Sequence, residues 1–216
     1  MKAGIISDTH NLLRPEVLSR LEGCDVILHA GDLCQDRILT QLQTVAPVLA
    51  VRGNNDRAVD ASVPVFREFD LDGIHGCMVH QKKDLPEDLS AYQLVILGHT
   101  HQYTDRTVRG VRFLNPGSCG PRRFYQPITM AIMTTDHGRM DMERIELGPS
   151  SPARPQTAQD LRTTVEVIAR EYQRGKGTDW ITHRHGFDPA LVEQVVRLIV
   201  THPGVTVDGV LGKMGF

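Results

Sequence analysis

The chain carries carboxylates, carboxamides and imidazoles in short clusters: Asp8-Thr9-His10, Gly31-Asp32, Gly53-Asn54-Asn55-Asp56, His80 and Gly98-His99-Thr100-His101. These side chains hold divalent metal ions through oxygen and nitrogen. The imidazoles of His99 and His101 stand at i and i+2, so in extended chain both rings point to one side and could grip one object. Each cluster also has an ordinary explanation. Asp8 or Asp32, placed after a strand, can cap the next helix by accepting from its first amides. Gly-Asn-Asn-Asp is a common turn composition, and a single His80 can be a satisfied strand residue. His99 and His101 can be two solvated rings in a hairpin turn. The ordered set is harder to explain this way, because independent caps and turns need not all be metal-ligand types. The pattern points to one polar rim.

A sheet would bring these residues together. The segments "AGIIS", "DVILHAGD" and "PVLAVRGNND" are strand-like, and "RPEVLSRLEG" and "DRILTQLQTVA" have helical spacing. This alternation predicts parallel strands joined by crossover helices. Open α/β sheets bind ligands just beyond the carboxyl ends of their strands, which is where Asp8, His10, Asp32 and Asn54 fall. From about residue 64 the texture changes. "VFREFDLDG", "IHGCMVHQ", "LVILGHT", "RTVRGVRFLN" and "ITMAIMTTD" predict a mainly antiparallel half that contributes His80, His99, His101 and the turn Asn115–Ser118. The expected fold class is α/β, a two-sheet sandwich flanked by helices. The run "GPSSPARPQTAQ" reads as a linker, which places a domain over residues 1–148 and a linker with a helical appendage over 149–216. In that appendage "DLRTTVEVIAREYQRG", "DPALVEQVVRLIVTH" and "TVDGVLGKMG" have helical periodicity.

Composition narrows the function classes. In 216 residues, 40% are hydrophobic and 23% charged, with a net charge of −2, so no global basic field advertises nucleic acid or an anionic membrane. Residues 149–216 hold eight Lys and Arg against seven Asp and Glu. That balance argues against nucleic acid as a partner, although "EQVVRLIVTHPGVTVDGVLGKMG" reads as helix-turn-helix. An amphipathic packing or dimerising appendage is the better expectation, the second alternative making the protein a homo-oligomer. Cys24, Cys34, Cys77 and Cys119 include no C-x-x-C pair and read as thiols of a reducing compartment. There is no charged segment followed by a long apolar one at the start, and no apolar run of membrane-spanning length. A cytoplasmic protein without a membrane partner is expected.

Taken in order, "SDTH", "GD", "GNND", "VH", "GHTH" and "NPGS" resemble the motifs of the calcineurin-like metallophosphoesterase superfamily. The small size and compact spacing are similar to its YfcE-type phosphodiesterase branch. The resemblance covers about residues 1–147 and leaves the last third unexplained.

The resemblance implies a metallophosphoesterase sandwich with two metal ions on its rim. Asp8, His10, Asp32 and His101 would hold the first ion and Asp32, Asn54, His80 and His99 the second, with Asp32 bridging. Mixed carboxylate, amide and imidazole ligands suit Mn²⁺, Fe²⁺, Zn²⁺, Co²⁺ or Ni²⁺ better than Ca²⁺, manganese being the first expectation. Two such ions acidify a bridging water and clamp the oxygens of in-line displacement at phosphorus. The implied activity is hydrolysis of a small phosphate ester, a diester first. Arg122 would pair with a non-bridging phosphate oxygen, or else be a solvated loop arginine. Asn55 and Asp56 stand beside the metal turn as further catalytic candidates. Asn55 replaces the His or Cys usual in the third motif, and Gln81-Lys82 replaces the end of the usual His-Gly-His, so substrate-side groups differ. His29 reads as core or as a support beneath the site. His75, His137, His183 and His185 complete no site.

Other function classes fit less well. A catalytically silent scaffold of this fold would have lost ligands, and here all seven positions carry competent residues. A protein Ser/Thr phosphatase would need G-D-x-x-D-R-G where this chain has "GDLCQD".

Overall fold

The computed structural model describes residues 1–122, 126–147 and 158–214, without the side chains of 158–160 and 190. They fall into two compact units, the first with the ten described strands, two α-helices and a short 3-10 helix (Lys82–Asp84), the second with four α-helices. The proline-rich run expected as a linker lies at its residues 148–157 outside the described ones.

The opening alternation is as expected: β1 (Lys2–Ile6), α1 (Pro15–Leu21), β2 (Val26–His29), α2 (Asp36–Gln43) and β3 (Val48–Ala50). β1 pairs in parallel with β2, and β2 with β3. β1 and β2 are apolar on both faces because both faces are covered. Ala3, Ile5, Val26 and Leu28 enter one core cluster, while Ile6 and Ile27 enter another with Val17 and Leu21 of α1 and Ile38 and Leu42 of α2. Burying such a side chain contributes about 1.5–3 kcal/mol relative to exposure. α1 starts with Pro15 at a position where the missing N–H costs nothing.

The remaining strands are β4 (Phe66–Leu71), β5 (Ile74–Val79), β6 (Leu94–Ile96), β7 (Tyr103–Val108), β8 (Val111–Pro116), β9 (Ile128–Asp136) and β10 (Arg139–Leu147). One sheet has the order β10-β9-β1-β2-β3 and the other β4-β5-β6-β8-β7. Phe69, Met78, Leu94, Ile96 and Leu114 of the second sheet share the cluster of Ala3, Ile5 and Leu28, so the sheets pack face to face. This is the expected two-sheet α/β sandwich. From about residue 64 on the pairing is mainly antiparallel, as expected: β4–β5, β7–β8, β9–β10 and β1–β9 are antiparallel. The exceptions, β5–β6 and β6–β8, are parallel and are not what the antiparallel texture suggests. "RTVRGVRFLN" is also not one strand, because Arg109 (φ 50°) and Gly110 (φ 84°) turn the chain into the β7–β8 hairpin.

The second unit contains α3 (Ala158–Gln173), α4 (Thr178–His185), α5 (Pro189–Thr201) and α6 (Val207–Lys213). Leu161, Val165, Ile168, Ile181, Leu191, Val192, Val195 and Val210 form a core of its own. Asp188 Oδ1 accepts from Leu191 N–H and Thr206 Oγ1 from Gly209 N–H, capping α5 and α6. No described helix is long and apolar enough to cross a membrane, and none of the four cysteines forms a disulfide.

Candidate metal centre

The parallel strands of the first sheet end at one edge, and the segments beyond β1 and β2 go on pairing. Asp8 N–H donates to the Gly31 carbonyl at 3.0 Å, His10 N–H to that of Asp32 at 2.9 Å and Asn11 N–H to that of Leu33 at 3.1 Å. Along these turns Asp8 (φ 55°), His10 (φ 42°) and Asp32 (φ 59°) are left-handed, as are His99 (φ 73°) and His101 (φ 59°) after β6. Five of the seven candidate ligands thus occupy backbone that costs of order 1–3 kcal/mol per non-glycine residue, a cost concentrated at functional sites. Neither Asp8 nor Asp32 caps a helix. The caps of α1 and α2 are Arg14 and Gln35, and neither makes a side-chain capping bond.

The left-handed turn overturns the extended-chain expectation for His99 and His101, whose rings go to different neighbours. His101 Nε2 lies 3.1 Å from Asp8 Oδ1 and 3.3 Å from His10 Nε2. The His99 ring lies 5.3 Å from that of His80, centroid to centroid. Two groups of ligand atoms each fall within 4.8 Å: Asp8, His10 and His101, and Asp8, Asp32 and His80. Asp8 belongs to both. Asp32 Oδ2 faces both as well, 3.7 Å from His10 Nε2 and 3.4 Å from His80 Nε2.

Asp8 Oδ1 and His80 Nε2 are buried and make no hydrogen bond. They face His101 Nε2 at 3.1 Å and Asp32 Oδ2 at 3.4 Å without hydrogen-bond alignment. Buried polar atoms are rarely left this way, and a carboxylate oxygen and a ring nitrogen so placed in one group fit a divalent cation. Burial pushes the Asp8 carboxyl up, but His101 and His80 outweigh it and hold it below its ordinary value. Burial acts likewise on Asp32, and His80 with Asn55 holds it well below that range. His80 is pushed down by burial and raised on balance by Asp32 and Asp8. The pocket is therefore anionic and attracts cations.

His99 joins neither group, and both it and Asn54 are exposed. Gln81 Nε2 donates to Asn54 Oδ1 at 3.0 Å and lies 3.4 Å from His99 Nδ1, so one amide touches both. Asn55 donates its side chain to Asp32 Oδ2 at 2.6 Å and its backbone N–H to Oδ1 at 2.9 Å. Asp56 is buried, and its oxygens are occupied by backbone amides: Asp32 N at 2.9 Å, Cys34 N at 2.6 Å and Gly53 N at 2.7 Å. It ties the turns after β2 and β3 together and offers substrate no open oxygen. Arg122 is half-buried.

Several supporting residues carry little sequence signal. Ser7 Oγ donates to Asp8 Oδ2 at 2.6 Å, and Cys34 Sγ lies 3.6 Å from His10 Nδ1. Asn115 Nδ2 donates to the Gly98 carbonyl at 2.7 Å and Ser118 Oγ to that of Asp8 at 2.9 Å, so the "NPGS" turn braces both histidine and aspartate turns. A Cβ at Gly53 would overlap Asp32 Oδ1, and one at Gly98 would overlap Ser7 Oγ. His75 stacks on Tyr92 and His137 sits beside Asp136. His183 and His185 lie on α4 of the second unit, where His185 stacks on Phe187.

Residues 1–138 match the calcineurin-like phosphoesterase superfamily domain. A protein of Methanothermobacter thermautotrophicus named "Probable metallophosphoesterase" is 36% identical over 163 residues, covering 68% of this chain and 94% of that protein. A phosphodiesterase of Methanocaldococcus jannaschii is 26% identical over 141 residues, covering 55% of this chain and 84% of its own length. Among solved structures, Vps29 of Entamoeba histolytica complexed with Zn²⁺ aligns with a TM-score of 0.53 at 23% identity, over 68% of this chain and 99% of that one.

Proposed function

The chain belongs to the calcineurin-like phosphoesterase superfamily, and from that premise we propose that it hydrolyses a phosphate diester with two divalent metal ions held on the sheet rim. The observation that carries the reading is Asp32 Oδ2, a carboxylate oxygen directed at a histidine of each group, His10 and His80. The unsatisfied Asp8 Oδ1 and His80 Nε2 beside it support the same reading. Asp8, His10, Asp32 and His101 would hold one ion and Asp32, Asn54, His80 and His99 the other, with Asp8 near enough to serve both. Bound there, the ions would supply an acidified water and neutralise charge at the phosphoryl oxygens. Manganese is the ion proposed first, with iron, zinc, nickel and cobalt suited to the same donors. The diester follows from the name of the Methanocaldococcus relative.

The chain's own residues divide the remaining work. Asp56 and the Asn115–Ser118 turn hold the ligand turns in place. Arg122 is proposed to pair with a non-bridging phosphate oxygen. Asn55 can donate a hydrogen bond near the leaving group but cannot give up a proton at neutral pH.

The test is a panel of aryl and alkyl mono- and diesters assayed with chelator and with added Mn²⁺. Activity is expected only with metal, and highest on aryl diesters. Asp32→Asn is expected to lose at least about 100-fold, the upper end of what loss of an outer partner of a ligand costs. Full activity in rigorously metal-free protein would overturn the proposal.

A further inference from the structure

His29 closes β2 and is fully buried, and both of its ring nitrogens are engaged. Nδ1 accepts from the Gly31 N–H at 3.1 Å. A nitrogen that accepts carries no proton, so in the neutral ring the proton is on Nε2. Nε2 lies 3.1 Å from Thr9 Oγ1 and donates to it. The Thr9 hydroxyl, its oxygen already accepting, donates onward to the Asp32 carbonyl at 3.4 Å. Thr9 lies between Asp8 and His10, and Gly31 directly precedes Asp32. One buried ring therefore reaches the two turns that carry three of the candidate ligands.

We propose that His29, acting through Thr9, is a positioning residue that locks the Asp8–His10 turn to the Asp32 turn and sets the spacing of their carboxylates. It touches neither substrate nor ligand side chain. Its effect is to hold three left-handed residues in place: Asp8, His10 and Asp32 would relax toward ordinary backbone if the link were cut. Burial supports this by pushing the ring down to about 4, so it stays neutral and keeps Nδ1 as an acceptor at ordinary pH. The inference rests on the metal-dependent reading for its functional consequence, but not for the lock itself.

Four variants separate the bonds. His29→Asn puts a carbonyl oxygen near the place of Nδ1 and keeps the Gly31 bond while losing Thr9. His29→Gln puts an amide N–H near the place of Nε2 and keeps Thr9 while losing Gly31. Thr9→Val removes the hydroxyl at nearly constant shape, and Thr9→Ser restores it. Mn²⁺ affinity measured by calorimetry should fall about 10–100-fold in Thr9→Val and His29→Asn, the usual cost of removing a partner behind a ligand, and Thr9→Ser should stay near wild type. The two losses should not add when Thr9→Val and His29→Asn are combined, because they cut one connection. In metal-free protein, amide exchange at Asp8 and His10 should quicken in Thr9→Val. Wild-type Mn²⁺ affinity in folded Thr9→Val, or equal impairment in Thr9→Ser, would overturn the proposal. If the wild-type chain binds no divalent ion, the metal reading fails, and unchanged amide exchange in Thr9→Val would then overturn the lock as well.

Discussion

Asn55 holds both oxygens of Asp32, its Nδ2 at 2.6 Å from Oδ2 and its backbone N–H at 2.9 Å from Oδ1. The residue that departs from the family pattern is thus attached to the carboxylate between the two histidine groups. Asn55→Ala should weaken divalent-ion binding by about tenfold, the low end for a hydrogen bond to a charged group at an exposed position. Calorimetric titration with Mn²⁺ measures it. Asn55→His supplies a proton donor worth roughly 10²–10⁴-fold when it reaches the leaving oxygen. It should therefore speed poor leaving groups more than good ones, read as a shallower dependence of rate on leaving-group pKa. Equal slopes, with chemistry rate-limiting, would assign Asn55 to Asp32 alone.

His29 makes the stability of the metal-free protein fall with acidity. Its ring is held at about 4 when folded, below its ordinary 6.5, so the folded chain binds fewer protons than the unfolded one between those values. The contribution is complete above pH 6.5 and is lost as pH drops toward 4. It amounts to roughly 3 kcal/mol across that window. Urea unfolding at stepped pH in the presence of chelator should show this slope in wild type and lose it in His29→Gln. Parallel curves would mean that His29 already carries a proton when folded.

Gln81 Nε2 donates to Asn54 Oδ1, the atom proposed as a ligand of the second ion. A metal binding through Asn54 must displace this bond, worth about 0.5–1.5 kcal/mol. Gln81→Ala should tighten the weaker of two binding steps by up to about tenfold and leave the tighter step unchanged. A two-site titration distinguishes the steps, and a uniform change in both would contradict this assignment.

The second unit has its own core of Leu161, Val165, Ile181, Val192 and Val195, and all candidate ligands precede it. A protein ending near Gly148 should fold, bind Mn²⁺ and hydrolyse a small diester with kcat/KM within a few-fold of the full chain. If it folds but binds no metal, the helices contribute to the site and the boundary at residue 148 is wrong.

The five residues that the structure gathers, Asp8, His10, Asp32, His80 and His101, were legible because each lies in a short local motif at a strand end, and strand ends in an α/β pattern share an edge. What surrounds them was not. Asp56 reads as a catalytic carboxylate in sequence, yet its partners are amides of Asp32, Cys34 and Gly53, and only the approach of two turns reveals them. The spacing of His99 and His101 suggested extended chain, and the left-handed backbone sends the rings apart. β6 is three buried residues, Leu94–Ile96, too short to carry any sign of strand direction, so the parallel pairs beside it were missed. α4 has only Trp180 and Ile181 as apolar residues, which leaves no periodic stripe to detect.

The strand order also dictates a sequence of folding events. No candidate ligand lies beyond His101, yet β1, which leads into Asp8 and His10, is flanked on one side by β9, starting only at Ile128. During synthesis every candidate ligand has been made while one edge of β1 is still without its partner strand, an interval on the order of seconds at ordinary translation rates. Over that interval the open edge can pair with another nascent chain, and its closure is a long-range event of the slow kind.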